Sequence, residues 1–87
     1  MTSELDAALI RLQYVAYTQR RTDPALADDL DAVIRFAQDD AKSRRLDPSI
    51  VPRLEKKAAD VTSQDARLAK DLSAAVELIR KLGLGEP

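Results

Sequence analysis

The side chains in this sequence that could do chemistry are carboxylates and amines, and the densest acidic group is Asp28, Asp29 and Asp31. Carboxylate oxygens are the ligands that Ca²⁺ and Mg²⁺ prefer, so these residues could in principle hold a hard cation. Such sites need ligands that converge from several elements, whereas Asp28 and Asp31 share one polar helix face with Arg35. We therefore interpret the group as a solvated helix surface, and we expect no metal and no cofactor.

The residue types most used in catalysis are missing. The chain has no His and no Cys, which removes the commonest general base, a thiolate nucleophile and any Cys-ligated metal. Its two glycines, Gly83 and Gly85, stand near the end of the chain, so there is no Gly-rich phosphate loop. An enzyme built from carboxylates and lysines would need a strongly shifted pKa in a cleft, and the sequence shows no sign of one. We expect a protein that is not an enzyme and has no small-molecule substrate.

The composition is typical of a small helical domain. Of the 87 residues, 45% are hydrophobic and 33% charged, while only 3% are aromatic. A chain of this length builds a marginal core, which a second copy or a partner would help to stabilise. It begins MTSELDAALIRL, without a basic leader, and no apolar run approaches about 18 residues. We expect a cytoplasmic protein that makes no use of a membrane.

Apolar residues recur at spacings of three and four along the chain, which predicts four helices. The first predicted helix runs from Ser3, a possible N-cap residue, to Arg21. The second runs from Pro24 to Arg44 and has Asp23 as its N-cap.

The third predicted helix starts between Ser49 and Pro52, because a proline deep inside a helix would break it, and ends near Asp60. The fourth is predicted to be capped by Thr62, with Asp65 three residues later, and to stop at Gly83.

Two similar stretches, RRTDP at residues 20–24 and RRLDP at residues 44–48, are interpreted as helix ends and starts. Arginine is favoured at a helix C-terminus, and Asp-Pro suits the start of the next helix. The short turns predict antiparallel neighbours. We expect one all-α domain over residues 1–87, with four antiparallel helices in two tandem helical hairpins, about 3–44 and about 48–83, forming an up-down four-helix bundle.

The two hairpins also resemble each other in sequence. Aligning residues 5–41 with residues 46–83, with Pro52 as the single inserted residue, matches eleven positions. The matched pairs are Leu5/Leu46, Asp6/Asp47, Arg11/Arg53, Leu12/Leu54, Ala16/Ala58, Asp23/Asp65, Leu26/Leu68, Ala27/Ala69, Asp29/Asp71, Leu30/Leu72 and Ala32/Ala74. A duplicated hairpin would explain the match, and so would the general likeness of two amphipathic hairpins rich in Ala, Leu and Asp.

The first predicted helix is apolar on two sides. Leu5, Leu9, Leu12 and Ala16 form its core stripe, and Ile10, Tyr14 and Tyr17 lie on nearly the opposite side at i, i+4, i+7 spacing. Tyrosine is enriched at interfaces because it combines a large apolar area with a polar tip. Three interpretations stay open, namely packing of this stripe against the third or fourth helix, self-association, and binding of another protein.

Charge is distributed unevenly along the chain. Residues 1–41 hold four basic and eight acidic side chains, net −4, and residues 42–87 hold ten basic and seven acidic, net +3. The basic residues near the turn between the second and third helices are Lys42, Arg44, Arg45, Arg53, Lys56 and Lys57. They could form a phosphate-binding patch, although no aromatic residue accompanies them.

These patterns favour a small non-enzymatic protein–protein interaction module, such as an adaptor, an assembly chaperone or an inhibitor of a larger protein. We expect it to act through Ile10, Tyr14 and Tyr17 and to form a homodimer. The alternative hypothesis is a regulator associated with nucleic acid that uses the basic patch. Salt separates the two, because phosphate contacts weaken steeply as salt is added.

Overall fold

The computed structural model describes residues 4–39 and 46–82. Within these ranges the chain is all-helical and has no strand, as predicted. The four helices are α1 (Glu4–Gln19), α2 (Pro24–Gln38), α3 (Ile50–Val61) and α4 (Ala66–Lys81).

One apolar core joins the four helices. α1 packs on α2 and α3 packs on α4, while α1–α4, α2–α3 and α2–α4 contacts join the two hairpins. Over the described residues α1 and α3 do not touch, so both lie on the outside of the α2–α4 pair. The largest side chains that are fully buried are Leu30, Val33, Leu54, Leu72 and Ile79. Burial of each such side chain contributes about 1.5–3 kcal/mol, which makes this core the main source of stability.

α2 and α4 start in the same way. The carboxylates of Asp23 and Asp65 accept hydrogen bonds from the backbone N–H groups of Leu26 and Leu68, at 3.1 and 3.0 Å. The backbone angles of the two aspartates also agree, at φ −147°, ψ 78° and φ −148°, ψ 84°. Each carboxylate satisfies an N–H group that has no partner within its helix.

The predicted cap of the fourth helix, Thr62, is therefore wrong. Its hydroxyl donates instead to the carbonyl oxygen of Ala58, at 2.6 Å, at the C-terminal end of α3. Thr62 and Asp65 both suit an N-cap by residue type. Thr62, Ser63 and Gln64 form a turn instead of a first helical turn, which leaves Asp65 as the cap.

α3 begins at Ile50, inside the predicted interval. Before it, the Asp47 carboxylate accepts hydrogen bonds from the backbone N–H and the hydroxyl of Ser49, at 2.9 and 2.8 Å. Both bonds lower the pKa of Asp47, the backbone one most. Pro52 is the third residue of the helix, where a backbone N–H would have no helical partner in any case, so the proline is tolerated.

α2 ends six residues before the predicted Arg44. Asp39 takes an extended conformation, ψ 155°, which stops the helix after Gln38. The last buried residues of α2 are Phe36 and Ala37, close to this end of the helix. The rest of that predicted segment, like the proposed cap Ser3, lies outside the described residues.

α1 likewise ends at Gln19, two residues before the predicted Arg21. Arg20 and Arg21 thus follow the helix and do not belong to its last turn. Arg20 reaches forward to α2, where its guanidinium pairs with the carboxylates of Asp28 and Asp31.

The two hairpins exchange a matched pair of ionic contacts. Arg11 on α1 donates two hydrogen bonds to Asp71 on α4, at 3.1 and 2.9 Å. Arg53 on α3 donates two to Asp29 on α2, also at 3.1 and 2.9 Å. Both arginines and both aspartates are matched positions of the sequence alignment. Each of the two helix pairs thus supplies the arginine for the other's aspartate.

Candidate interaction face

The outward side of α1 carries three large apolar side chains in contact with water. Ile10, Tyr14 and Tyr17 are 61%, 58% and 80% exposed, and no other large hydrophobic residue of the described ranges is classed as exposed. The interpretation in which this stripe packs against α3 or α4 is therefore wrong. We call these three residues the α1 face.

The helical repeat of α1 explains why these residues point outward. Leu9, Leu12, Val15 and Ala16 are buried in the core, and steps of 100° per residue turn Ile10, Tyr14 and Tyr17 away from it. Ala7 is also exposed and lies three residues before Ile10. With Ala7 included, the exposed apolar residues of α1 follow one another at spacings of three, four and three. This spacing is visible in the sequence, although Ala7 was not among the predicted interface residues.

Arg11 borders the α1 face. Its guanidinium lies 5.4 Å from the centre of the Tyr14 ring, a distance at which a cation is attracted to an aromatic face. The same guanidinium makes the two hydrogen bonds to Asp71, which raise the pKa of Arg11. Its charge is therefore paired with the Asp71 carboxylate while it lies beside the Tyr14 ring. Sequence reasoning missed this residue, although it stands three positions before Tyr14.

A groove of about 390 Å³ lies between α1 and α4, next to Tyr14. Charged groups along it are Arg11, Asp65, Arg67 and Asp71. Arg11 and Asp71 form an ion pair with each other, so these two residues line the groove as paired charges.

A corresponding groove of about 290 Å³ lies between α2 and α3. There the ammonium group of Lys57 lies 2.8 Å from the carboxylate of Asp23. This contact and the N–H of Leu26 lower the pKa of Asp23. In the alignment Lys57 corresponds to Val15, so the position that would supply a lysine to the equivalent Asp65 holds an apolar residue. The two grooves share a framework but differ in the residues that line them.

α3 serves as an internal reference for α1. The residues of α3 that align with Ile10, Tyr14 and Tyr17 are Val51, Lys56 and Ala59. Val51 packs partly against the core, while Lys56 and Ala59 are exposed. The aligned positions of α3 therefore present one charged and one small side chain to solvent and no large apolar one.

The basic residues of the alternative hypothesis are only partly described. Lys42, Arg44 and Arg45 lie outside the described residues. Arg53 is bound to Asp29 and Lys57 to Asp23, so both face acidic residues of α2. Lys56 is exposed.

The acidic group on α2 is also engaged by arginines. Asp28 and Asp31 pair with Arg20, and Asp29 pairs with Arg53. Among the described residues, no three carboxylates come together in a way that could hold a metal ion.

The chain matches no protein-family model, no curated protein and no solved structure. None of the helices in the described ranges combines the length and the apolar character needed to cross a bilayer.

Proposed function

We propose that the chain is a small non-enzymatic protein–protein interaction module that acts through the α1 face, and that it forms a homodimer. A role as adaptor, assembly chaperone or inhibitor of a larger protein fits such a module. The observation that carries the proposal is the exposure of Ile10, Tyr14 and Tyr17 on one helix, while the aligned positions of α3 expose no large apolar side chain.

A contiguous stripe of exposed apolar side chains is explained either by the fold or by a partner. The core is complete without these side chains, since α1 buries its other side against α2 and α4. Large tyrosine side chains lose little conformational entropy on binding for the area they cover, which is why they are common at the centres of interfaces. The proposal takes the helices as an antiparallel up-down bundle in which α1 is an outer helix.

Exchanging the outer residues of α1 for those of α3 tests the proposal. The variant Tyr14→Lys with Tyr17→Ala gives α1 the residues that α3 carries at the aligned positions. We expect it to fold like the parent, because both rings are exposed, but to lose self-association in light scattering after size-exclusion chromatography.

The matched control changes the same positions on α3, Lys56→Gln with Ala59→Gln, and should associate like the parent. Association should change little with salt, whereas binding through phosphates would weaken steeply. A parent dimer that survives in the α1 variant would contradict the proposal. So would loss of the helical circular-dichroism signal in that variant, since it would place the tyrosines in the chain's own core.

A further inference from the structure

We propose that the occupant of the α1 face is the α1 helix of a second copy, lying antiparallel to the first. This inference rests on the proposed function, because it names the partner and the geometry of the same face. The exposed residues Ala7, Ile10, Tyr14 and Tyr17 follow one another at spacings of three, four and three. This is the a/d spacing by which two helices pack side by side over two heptads.

The sizes of these side chains are self-complementary in the antiparallel direction. A twofold axis at the level of residue 12 places Ala7 opposite the partner's Tyr17, and Ile10 opposite the partner's Tyr14. Each layer then combines a smaller residue with a tyrosine. A parallel pair would instead set Tyr17 against the partner's Tyr17 and Ala7 against the partner's Ala7, which crowds one end and leaves a gap at the other.

The charges at the ends of α1 favour the same direction. Asp6 stands in the first turns of the helix, and Arg21 follows its C-terminal end, where the neighbouring Arg20 is already paired with Asp28 and Asp31 of α2. The antiparallel arrangement brings the acidic end of each helix near the basic end of its neighbour, whereas the parallel one brings like charges together. The helix dipoles add to this preference. Charges of this kind set orientation more than strength.

Arg11 does not oppose the approach, although it lies beside the axis and thus near the partner's Arg11. Its guanidinium is neutralised by two hydrogen bonds to Asp71 and leans over the Tyr14 ring. The exposed amide of Gln13 lies at the other rim of the same layer. On both sides of the twofold axis, therefore, these residues bring no unpaired charge to the contact.

The size of the contact predicts a weak dimer. α1 has 16 residues and is therefore about 24 Å long. A single pair of such helices buries less than the roughly 1,600 Å² of a standard interface. We expect a dissociation constant of the order of micromolar, so a range of protein concentrations is needed to observe both states.

Disulfide trapping tests the direction, since the chain has no Cys of its own. Ala7→Cys and Tyr17→Cys change exposed residues, so both variants should fold. We expect the mixture of the two to form a disulfide-linked dimer under mild oxidation, with at least about tenfold less product from either variant alone. Lys56→Cys mixed with Ala59→Cys, on α3, is the matched control and should remain unlinked.

The outcomes separate this inference from the proposed function. Linked dimers of each variant with itself, without a mixed product, would show a parallel pair and overturn the inference while the α1 face remains the interface. A parent chain that is monomeric at every concentration overturns this inference together with the homodimer of the proposed function, and leaves the face for a different protein. A dimer that persists in Tyr14→Lys with Tyr17→Ala would overturn both proposals.

Discussion

Arg11 on α1 donates two hydrogen bonds to Asp71 on α4, and this contact has a counterpart elsewhere in the molecule. Arg53 on α3 makes the same two bonds to Asp29 on α2. Charged pairs with two parallel bonds fix the orientation of the groups they join. Two ion pairs of the same kind therefore fix how one hairpin packs on the other. Each pair can serve as an internal control for the other.

The matched ion pairs predict matched losses of stability. Replacing Asp71 by Asn or Asp29 by Asn removes the carboxylate from one pair, and we expect the two variants to lower the melting temperature by similar amounts. Thermal unfolding followed by circular dichroism measures this. Reversing one pair, Arg11→Asp with Asp71→Arg, should recover part of the loss. A large effect at one site with none at the other would contradict the equivalence of the hairpins.

The core predicts a second matched pair of effects. Leu30 and Leu72 are aligned residues of α2 and α4, and both are completely buried. Truncation to Ala should lower the free energy of unfolding by about 2–5 kcal/mol in each case, since it removes apolar contacts and leaves a cavity. Urea unfolding gives the values. A change within error of zero at Leu72 would mean that the α4 stripe lies outside the core.

The two N-caps should differ in a defined way. Asp65→Ala removes a cap and should cost about 0.5–2 kcal/mol. Asp23→Ala removes the same cap together with the Lys57 contact, so we expect a greater loss from it. In a Lys57→Met background the two substitutions should become equal, again by urea unfolding. Equal losses in the unmodified chain would show that the Lys57 contact adds nothing.

Acid should weaken the fold in a predictable window. The pKa of Asp23 is lowered by Lys57 and by the N–H of Leu26, and that of Asp47 by its bonds to Ser49. A lowered pKa in the folded chain means that the stabilisation is complete above the unfolded value, about 3.9. It is lost as the pH falls through the lower folded value. In a series from about pH 6 downward, the melting temperature should therefore begin to decrease once the pH is below about 4. The Asp23→Asn variant should show a smaller decrease of melting temperature with pH.

Much of this fold could be predicted from the sequence, because the apolar spacing of each helix was strong enough to identify it. The Asp23 cap was also predictable, since Asp-Pro marks a helix start without an alternative. At α4 two residues suited the cap equally well by type, and only the three-dimensional turn decides between Thr62 and Asp65.

The contacts between hairpins could not be predicted in the same way. Arg11, Arg53, Asp29 and Asp71 were all recognised as aligned residues, but pairing across hairpins depends on how the hairpins pack. The outward direction of Ile10, Tyr14 and Tyr17 did follow from the helical period. Whether another helix covered them depended on the packing of α1, which the sequence left open.

The polar surface of α3 has a further consequence for assembly. α1 and α3 lie on the two flanks of the α2–α4 pair, so a chain with adhesive surfaces on both could bind one further copy at each flank and grow into filaments. On the second flank, the exposed residues Lys56 and Ala59 provide no large apolar side chain for such a contact. If the α1 face pairs two copies as proposed, the charge at Lys56 would keep the assembly finite, and placing tyrosines at these two positions should convert a closed pair into a polymer.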